Sequence, residues 1–324
     1  MKCHAMSKTP GALIVAGPTA SGKSALALAL ALRVGGVVIN ADSMQIYREL
    51  RVVTARPGAA DEATAPHALY GVRPAAEAGS VAWWQGAALA AMAAAQAAGR
   101  LPILCGGTGL YFASLTEGIA AIPEPDAAAR GEARRLLAEL GPGGLHAALA
   151  KVDQATAARL RPSDSQRVAR AWEVWRATGR GLAAWQADPV APPGWRFSAL
   201  VLDPPREDLR AAIAGRFATM LAAGALDEVR ALSALGLDPS LPAMRAHGVP
   251  ELGAHLRGEI SLAEAARRTT LATGQYTKRQ ATWFRHRSMA AAPRTHMIHT
   301  RFSGLEQFSE RESDEILSIV QNAG

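Results

Sequence analysis

The chain has 324 residues, 49% of them hydrophobic and 19% charged, which is enough for one large domain or two of ordinary size around a substantial core. Its two cysteines, Cys3 and Cys105, lie far apart, which argues against a disulfide framework or a cysteine metal cluster and fits a reducing cytosol. The opening MKCHAMSKTP, with start candidates at Met1 and Met6, lacks the apolar region of a secretory signal. No run of about 18 apolar residues suggests a membrane span, so a cytoplasmic protein is expected. The net charge is +7, and residues 265–305 alone carry eight Lys or Arg and no Asp or Glu. Such a run is either a solvated basic face or a footprint for a polyanion.

The apolar run ALIVAG (12–17) ends in glycine and reads as a buried strand feeding a turn. SALALALALR (24–33) reads as a helix, VVINAD (37–42) as a second strand, residues 87–98 as an alanine-rich helix and LPILCGG (101–107) as a third strand. Strands alternating with helices predict a parallel α/β sheet, and GPTASGKS (17–24) between the first strand and its helix makes it a P-loop NTPase-like core. IPEPD (122–126) then breaks the pattern, and every periodic stretch to residue 187 reads as helical. ADPVAPPGW (187–195) closes that stretch with three prolines before FSALVLD (197–203) returns to strand. The expected organisation is a discontinuous α/β core over residues 8–121 and 197–315, with an all-helical insertion domain at 122–196. Long amphipathic helices follow Asp203, and a weakly ordered tail is expected after them.

Between the first strand and its helix lies GPTASGKS: Gly17, Pro18, Thr19, Ala20, Ser21, Gly22, Lys23 and Ser24. The spacing G-x-x-x-x-G-K-S is that of a loop whose backbone N–H groups cradle a di- or triphosphate. Lys23 is expected to reach phosphate oxygens and the Ser24 hydroxyl to ligate Mg²⁺. Asp42 ends the second strand, where α/β sheets bind ligands; it either holds Mg²⁺, acts as a general base, or caps the turn that follows. GGTGLY (106–111) leaves the third strand the same way and offers the Thr108 hydroxyl. In the helix from residue 207, Leu209, Ile213, Phe217 and Met220 form an apolar stripe, and Arg216 falls inside it. A guanidinium there needs an anion: a core carboxylate or a phosphate ligand. In the insertion, Ser163 and Gln166 suggest a capping box. On that helix Gln166, Arg167 and Arg170 share a polar face, either solvated or turned to nucleic acid.

Taken in order, GPTASGKS, NADSMQIY with TARP after it, GGTGLY, RPSDSQRVARAWEVWRATG, RFATMLAAGALDEVR, AMRAHG and QYTKRQATWF resemble the tRNA dimethylallyltransferases over residues 12–287. The resemblance implies transfer of a dimethylallyl group from dimethylallyl diphosphate to N6 of adenosine-37, just 3′ of the anticodon. By position it implies that the loop to Ser24 holds the diphosphate and Mg²⁺, that Asp42 is the base, and that Arg216 meets the diphosphate. It further implies that the tRNA anticodon stem-loop touches Asp42, Ser43, Met44, Gln45, Thr108 and Arg130. The same holds for Gln166, Arg167, Val168, Ala169 and Arg170, and for Arg245, Ala246, His247, Gly248, Val249 and Pro250. Two departures stand out: Gly248-Val249 where the family often has Gly-Tyr, and TARP where it has TAKP. A monomer is expected. The alternatives are a prenyltransferase of free adenine nucleotides, a small-molecule kinase with ATP in the loop, and a non-catalytic RNA-binding module. The first has no need of a helical insertion, and an NTPase would be favoured by an acid closing the third strand, where none occurs.

Overall fold

Short apolar runs without polar alternation become strands buried on both faces, and that is how this chain begins. In β1 (Gly11–Ala16), Ala12, Ile14 and Ala16 enter one core cluster while Leu13 and Val15 enter another. The structure, a computed structural model, describes residues 9–188 and 190–324. Cys3 and the start candidates Met1 and Met6 lie outside the described residues. After β1 come α1 (Lys23–Val34), β2 (Val37–Asn40), α2 (Ala59–Thr64), β3 (His67–Ala68), α3 (Val81–Ala97), β4 (Pro102–Gly106) and α4 (Gly109–Thr116).

The chain then forms α5 (Ala127–Val152), α6 (Gln154–Ala157), α7 (Ser165–Thr178) and α8 (Leu182–Gln186). It returns to the sheet as β5 (Arg196–Leu202), followed by α9 (Arg206–Ala222), α10 (Ala225–Ala234), α11 (Val249–Leu256), α12 (Leu262–His286), β6 (Thr295–Ile298) and α13 (Glu310–Gln321). The six strands form one sheet in the order β3-β2-β4-β1-β5-β6, and every pairing is parallel. This is the α/β architecture expected from the alternation of strands and helices.

The chain divides into two compact units, one of residues up to Thr116 and from Pro193 onward, the other Glu117–Pro192. The helical unit thus starts five residues before the expected boundary at 122 and ends four before the one at 196, for physical reasons. Arg196 already pairs with Gly11 in the sheet, and its N–H donates to Pro10 O at 2.8 Å. At the other edge Gly118, at φ 83°, packs against Val190 and Ala191. The helical unit has its own core of Ala133, Leu145, Leu149, Ala157, Val168, Ala171 and Trp172. Its longest helix, α5, is broken at Gly141 (φ 66°) before Pro142. Asp164 rather than Ser163 caps α7: its carboxylate accepts from Arg167 N at 3.2 Å. An aspartate adjacent to the first turn supplies a charged acceptor at the positive end of the helix.

The tail is not weakly ordered. β6 adds a sixth strand beside β5, with Leu202 opposite Ile298. Ile316, Ile319 and Val320 of α13 are buried in the cluster that holds Leu13 and Val15. A reciprocal cap starts that helix: Ser309 Oγ accepts from Glu312 N, and the Glu312 carboxylate accepts from Ser309 N.

Strand order sets up the site. β2, β4 and β1 are neighbours, with Asn40 opposite Cys105 and Gly106 opposite Ala16. The chain therefore leaves three adjacent strands at one edge, into the phosphate loop, the Asp42 turn and the Gly107–Thr108 turn.

Candidate active site

The loop between β1 and α1 turns through two left-handed residues, Ala20 at φ 68° and Gly22 at φ 90°. Gly22 admits no side chain, since a Cβ would strike Phe302. Lys23, the first residue of α1, is buried, and its Nζ approaches Pro18 O at 3.4 Å. Its pKa lies below the ordinary lysine value because burial disfavours the charge; Asp42 opposes that shift and Arg216 adds to it. Ser24 is exposed beside it.

The loop is fixed from a distance in sequence by Gln280 of α12, which is buried. Its Oε1 accepts from Thr19 N at 2.9 Å and Thr19 Oγ1 at 3.0 Å, and its Nε2 donates to Gly107 O at 2.9 Å. Gly107 has no room for a Cβ because Gln280 occupies that space. Thr108 continues the chain of contacts, its Oγ1 accepting from Ser43 N at 2.9 Å. Asp42 is held from behind by Asn40, whose Oδ1 accepts from Asp42 N at 2.9 Å and whose Nδ2 donates to Asp42 O at 3.0 Å. Asp42 Oδ1 accepts from Met44 N at 2.9 Å, so the turn-capping reading holds. Oδ2 has no partner among the described residues, and Asp42 also lines a cavity at this edge.

A cavity of about 370 Å³ opens at this edge, within the usual range for small-ligand sites. Lys23, Asp42, Arg216 and Arg301 supply its ionic groups, Ser24 and Tyr276 are among its hydroxyls, and Val53, Ile213, Phe217, Met220 and Met44 form its apolar wall. Among the described residues Arg216 has no carboxylate partner; its Nη2 donates to Thr54 O at 3.2 Å. Burial holds its pKa below the ordinary arginine value, and the charge of Asp42 partly restores it. Thr54 O also accepts from Gln45 Nε2 at 2.9 Å. The turn carrying Thr54 is in turn gripped by Glu228 of α10, whose Oε2 accepts from Arg51 N and Val52 N at 2.7 Å and whose Oε1 accepts from Val53 N at 2.8 Å.

Two rings complete the wall. Tyr276 and His247 lie 5.2 Å apart between centroids, and both line the cavity. Burial, with Asp42 adding to it, pushes the Tyr276 hydroxyl up to about 12. Burial also lowers the His247 pKa from its ordinary 6.5, so this ring is neutral near pH 7.

The remaining residues singled out in the sequence separate into surface and core. Gln166, Arg167 and Arg170 are exposed on α7, but Val168 between them is buried in the core of the helical unit and has no surface to offer a partner. Ala169 is half-buried. Arg130, also half-buried, pairs with Glu124 at 2.6 Å. Arg245 and Pro250 are exposed, Ala246 and His247 line the cavity, and Gly248 is buried at φ 100°. Val249 points its side chain into the sheet's core cluster rather than outward, because it opens α11 on its apolar face. The acid-free basic segment is partly neutralised by one acid at its edge and one brought to it by the fold. Glu264 pairs with Arg267 and Arg268 at 2.7 Å, and Asp203 with Arg285 at 2.7 Å. Lys278 and Arg279 remain exposed. Sequence reading missed Gln280, Glu228 and Asn40 as organisers of the site. Only Asn40, a polar residue in a buried strand, carried a local signal.

Residues 45–287 match the family model described as IPP transferase, and residues 10–69 match the one described as isopentenyl transferase. The chain is similar to a tRNA dimethylallyltransferase of Granulibacter bethesdensis, at 61% identity over 97% of this chain and 99% of that protein. It is also similar to one from Acidiphilium cryptum, at 62% identity over 95% and 94%. Among solved structures it is similar to the full-length tRNA isopentenylpyrophosphate transferase of Bacillus halodurans, with 28% identity, a TM-score of 0.67 and 97% of each chain covered. It shares the fold of a eukaryotic dimethylallyltransferase acting on tRNA, at 24% identity and a TM-score of 0.78 over 97% of this chain and 79% of that one.

Proposed function

This chain belongs to the tRNA dimethylallyltransferase family, and from that premise we propose that its cavity transfers the dimethylallyl group of dimethylallyl diphosphate to N6 of adenosine-37 in tRNA, releasing diphosphate. The observation that carries the reading is the charge inventory of the cavity. Among the described residues that line it, Lys23, Arg216 and Arg301 are joined by a single carboxylate, Asp42, and by an apolar wall. Such a lining suits a small anion with a short hydrocarbon tail: the diphosphate on the loop, the five-carbon group against Val53, Ile213, Phe217 and Met220.

In the step proposed, adenine N6 attacks C1 of the dimethylallyl group, the C1–O bond breaks, and its electron pair leaves with the diphosphate. N6 is a weak nucleophile because its lone pair is delocalised into the ring, so it gains from losing its proton as the bond forms. Asp42, with Oδ2 unpartnered among the described residues, takes that proton. Lys23 and Arg216 stabilise the negative charge growing on the leaving oxygen, in a half-enclosed site where fixed donors act strongly. Thr54 O restrains the Arg216 fork before substrate arrives.

Ser24 is the side chain that would hold Mg²⁺, together with diphosphate oxygens. Among the described residues no group of three or more His, Cys, Asp or Glu could cage a metal, which fits an ion that takes mostly substrate oxygens and water. When bound, Mg²⁺ would supply charge neutralisation on the diphosphate. For the RNA we propose phosphate contacts with the exposed Arg167, Arg170, Arg245, Lys278 and Arg279. The target base must leave its stack to reach a cavity walled by Met44, His247 and Tyr276. No single described helix is long and apolar enough to cross a membrane. We place the enzyme in the cytoplasm, acting as a monomer, which light scattering at working concentration checks.

The test offers purified protein and Mg²⁺ labelled dimethylallyl diphosphate with unmodified tRNA or with AMP, and labelled ATP in parallel. Label entering tRNA at adenosine N6 supports the reading; label entering AMP alone, or phosphate moving from ATP, overturns it. In the same assay Asp42→Ala is expected to lower turnover about 10²- to 10⁴-fold with tRNA affinity nearly unchanged. Equal loss of tRNA binding would remove Asp42 from the role of base.

A further inference from the structure

The chain after α12 lies beyond residue 287, where the matched IPP transferase model ends, yet it reaches the phosphate loop. Phe302 N donates to Ser21 O at 2.9 Å, and Arg301 Nε donates to Ala20 O at 3.0 Å. Phe302 is buried in the same cluster as Leu202 and Ile298, so the contact is anchored by packing as well as by hydrogen bonds. Gly22 is pressed so closely on Phe302 that the loop and this segment form one packed layer. Arg301 lines the cavity that also holds Lys23 and Arg216. Its Nε bond fixes the plane of the guanidinium, while Nη1 and Nη2 have no partner among the described residues.

We infer that Arg301 is a second arginine of the diphosphate site, gripping the leaving group from the flank opposite Asp42. Strand order supports the placement. Asp42 follows β2 and Arg301 follows β6, and these strands lie on opposite sides of β1, whose loop sits between them. The nucleophile whose proton Asp42 receives approaches on one flank, and the diphosphate departs on the other. A planar fork with one N–H already tied to backbone suits a phosphate, since little freedom is lost on binding. Arg216 is prepared in the same way by its bond to Thr54 O. The inference rests on the proposed transfer for the identity of the ligand, but the charge it needs is only that of a diphosphate.

The test measures binding of inorganic pyrophosphate with Mg²⁺ by titration calorimetry, the KM for dimethylallyl diphosphate, and the tRNA Kd by filter binding. Arg301→Gln is expected to weaken pyrophosphate binding about 10- to 100-fold, the scale of losing a pair of charge-assisted bonds, and to raise that KM in parallel. The tRNA Kd should stay within about twofold, and Arg301→Lys should recover only part of the loss because it restores charge without the fork. Pyrophosphate affinity within twofold of wild type in Arg301→Gln overturns the assignment, as does a change confined to the tRNA Kd. If Arg301→Gln melts early, the Arg301→Lys titration decides, with full recovery counting against the fork. A wild-type protein that binds pyrophosphate through Arg301 yet transfers no dimethylallyl group would overturn the proposed function and leave this assignment standing.

Discussion

Replacing Gln280 by leucine keeps the volume of a buried side chain and removes every polar contact it makes. Three groups lose their partner: Thr19 N–H, the Thr19 hydroxyl and the Gly107 carbonyl. A net hydrogen bond contributes roughly 1 kcal/mol, and a buried group left unsatisfied costs about 1–3 kcal/mol. The two Thr19 bonds are only partly buried at the cavity edge, so water can replace them and the loss there is small. The Gly107 bond is buried, so that carbonyl bears the full cost. The sum is about 2–4 kcal/mol, which for a chain of this length lowers Tm by about 3–6 °C. Function should suffer beyond stability, because Thr19 belongs to the phosphate loop and Gly107 precedes the turn that holds Ser43 beside Asp42. Pyrophosphate affinity, measured well below the melting transition, is expected to fall at least about tenfold, one decade per 1.4 kcal/mol. Differential scanning calorimetry and pyrophosphate titration read the two effects separately. A Gln280→Leu protein that melts within about 2 °C of wild type and binds pyrophosphate normally would refute the idea that α12 sets the loop.

Glu228→Gln puts an amide N–H against one of the three backbone N–H groups that the carboxylate now accepts. We expect a loss of about 1–3 kcal/mol in urea denaturation and a raised KM for dimethylallyl diphosphate, because the Thr54 carbonyl that restrains Arg216 shifts. His247 should shape the acid limb of stability. Its folded pKa lies below its unfolded value of 6.5, so the unfolded chain binds the proton more readily. Its contribution is intact above 6.5 and is lost as pH falls from there through the folded pKa. Tm of the wild type should therefore drop more between pH 7 and pH 5.5 than that of His247→Gln, and parallel profiles would count against a buried neutral ring.

Much of the site was legible because it is local. The phosphate loop is a contiguous pattern between a strand and a helix, and Arg216 betrays itself as a charge within the stripe Leu209, Ile213, Phe217. The open question at Arg216 was its partner, and the structure supplies a carbonyl and a cavity rather than a carboxylate. What sequence reading missed is non-local. Gln280 meets Thr19 across 261 residues, and Glu228 meets Arg51 across 177, so neither carries a nearby signature. Gln280 lies among helix-spaced aromatics and reads as core, which is true of its burial but not of its work. The tail carries little signal because THMI is too short and polar to announce a strand, and the cap between Ser309 and Glu312 that opens α13 is seen in the structure. The basic run looked unopposed for a related reason: Glu264 stands one residue outside it, and Asp203 reaches it only through the fold.

The position of one carboxylate separates the proposed chemistry from that of a nucleotide-hydrolysing loop. The strand beside the loop, β4, ends at Cys105 and Gly106 rather than at an acid. The Cys105 thiol is buried and pushed up to about 11, so it brings no negative charge to Ser24 or Lys23 near neutral pH. The acid stands instead at the end of β2, one strand further from β1, where Asn40 fixes its backbone and a turn bond occupies one of its oxygens. A carboxylate next to the loop would serve a metal or an attacking water at the phosphate itself. Moved one strand away, across a cavity with an apolar wall, it can reach a nucleophile that attacks carbon while the phosphates stay whole. The same sheet therefore suits the proposed departure of an intact diphosphate, because among the described residues the one acid lining the cavity stands away from the loop, while Lys23 belongs to the loop and Arg301 bonds to it.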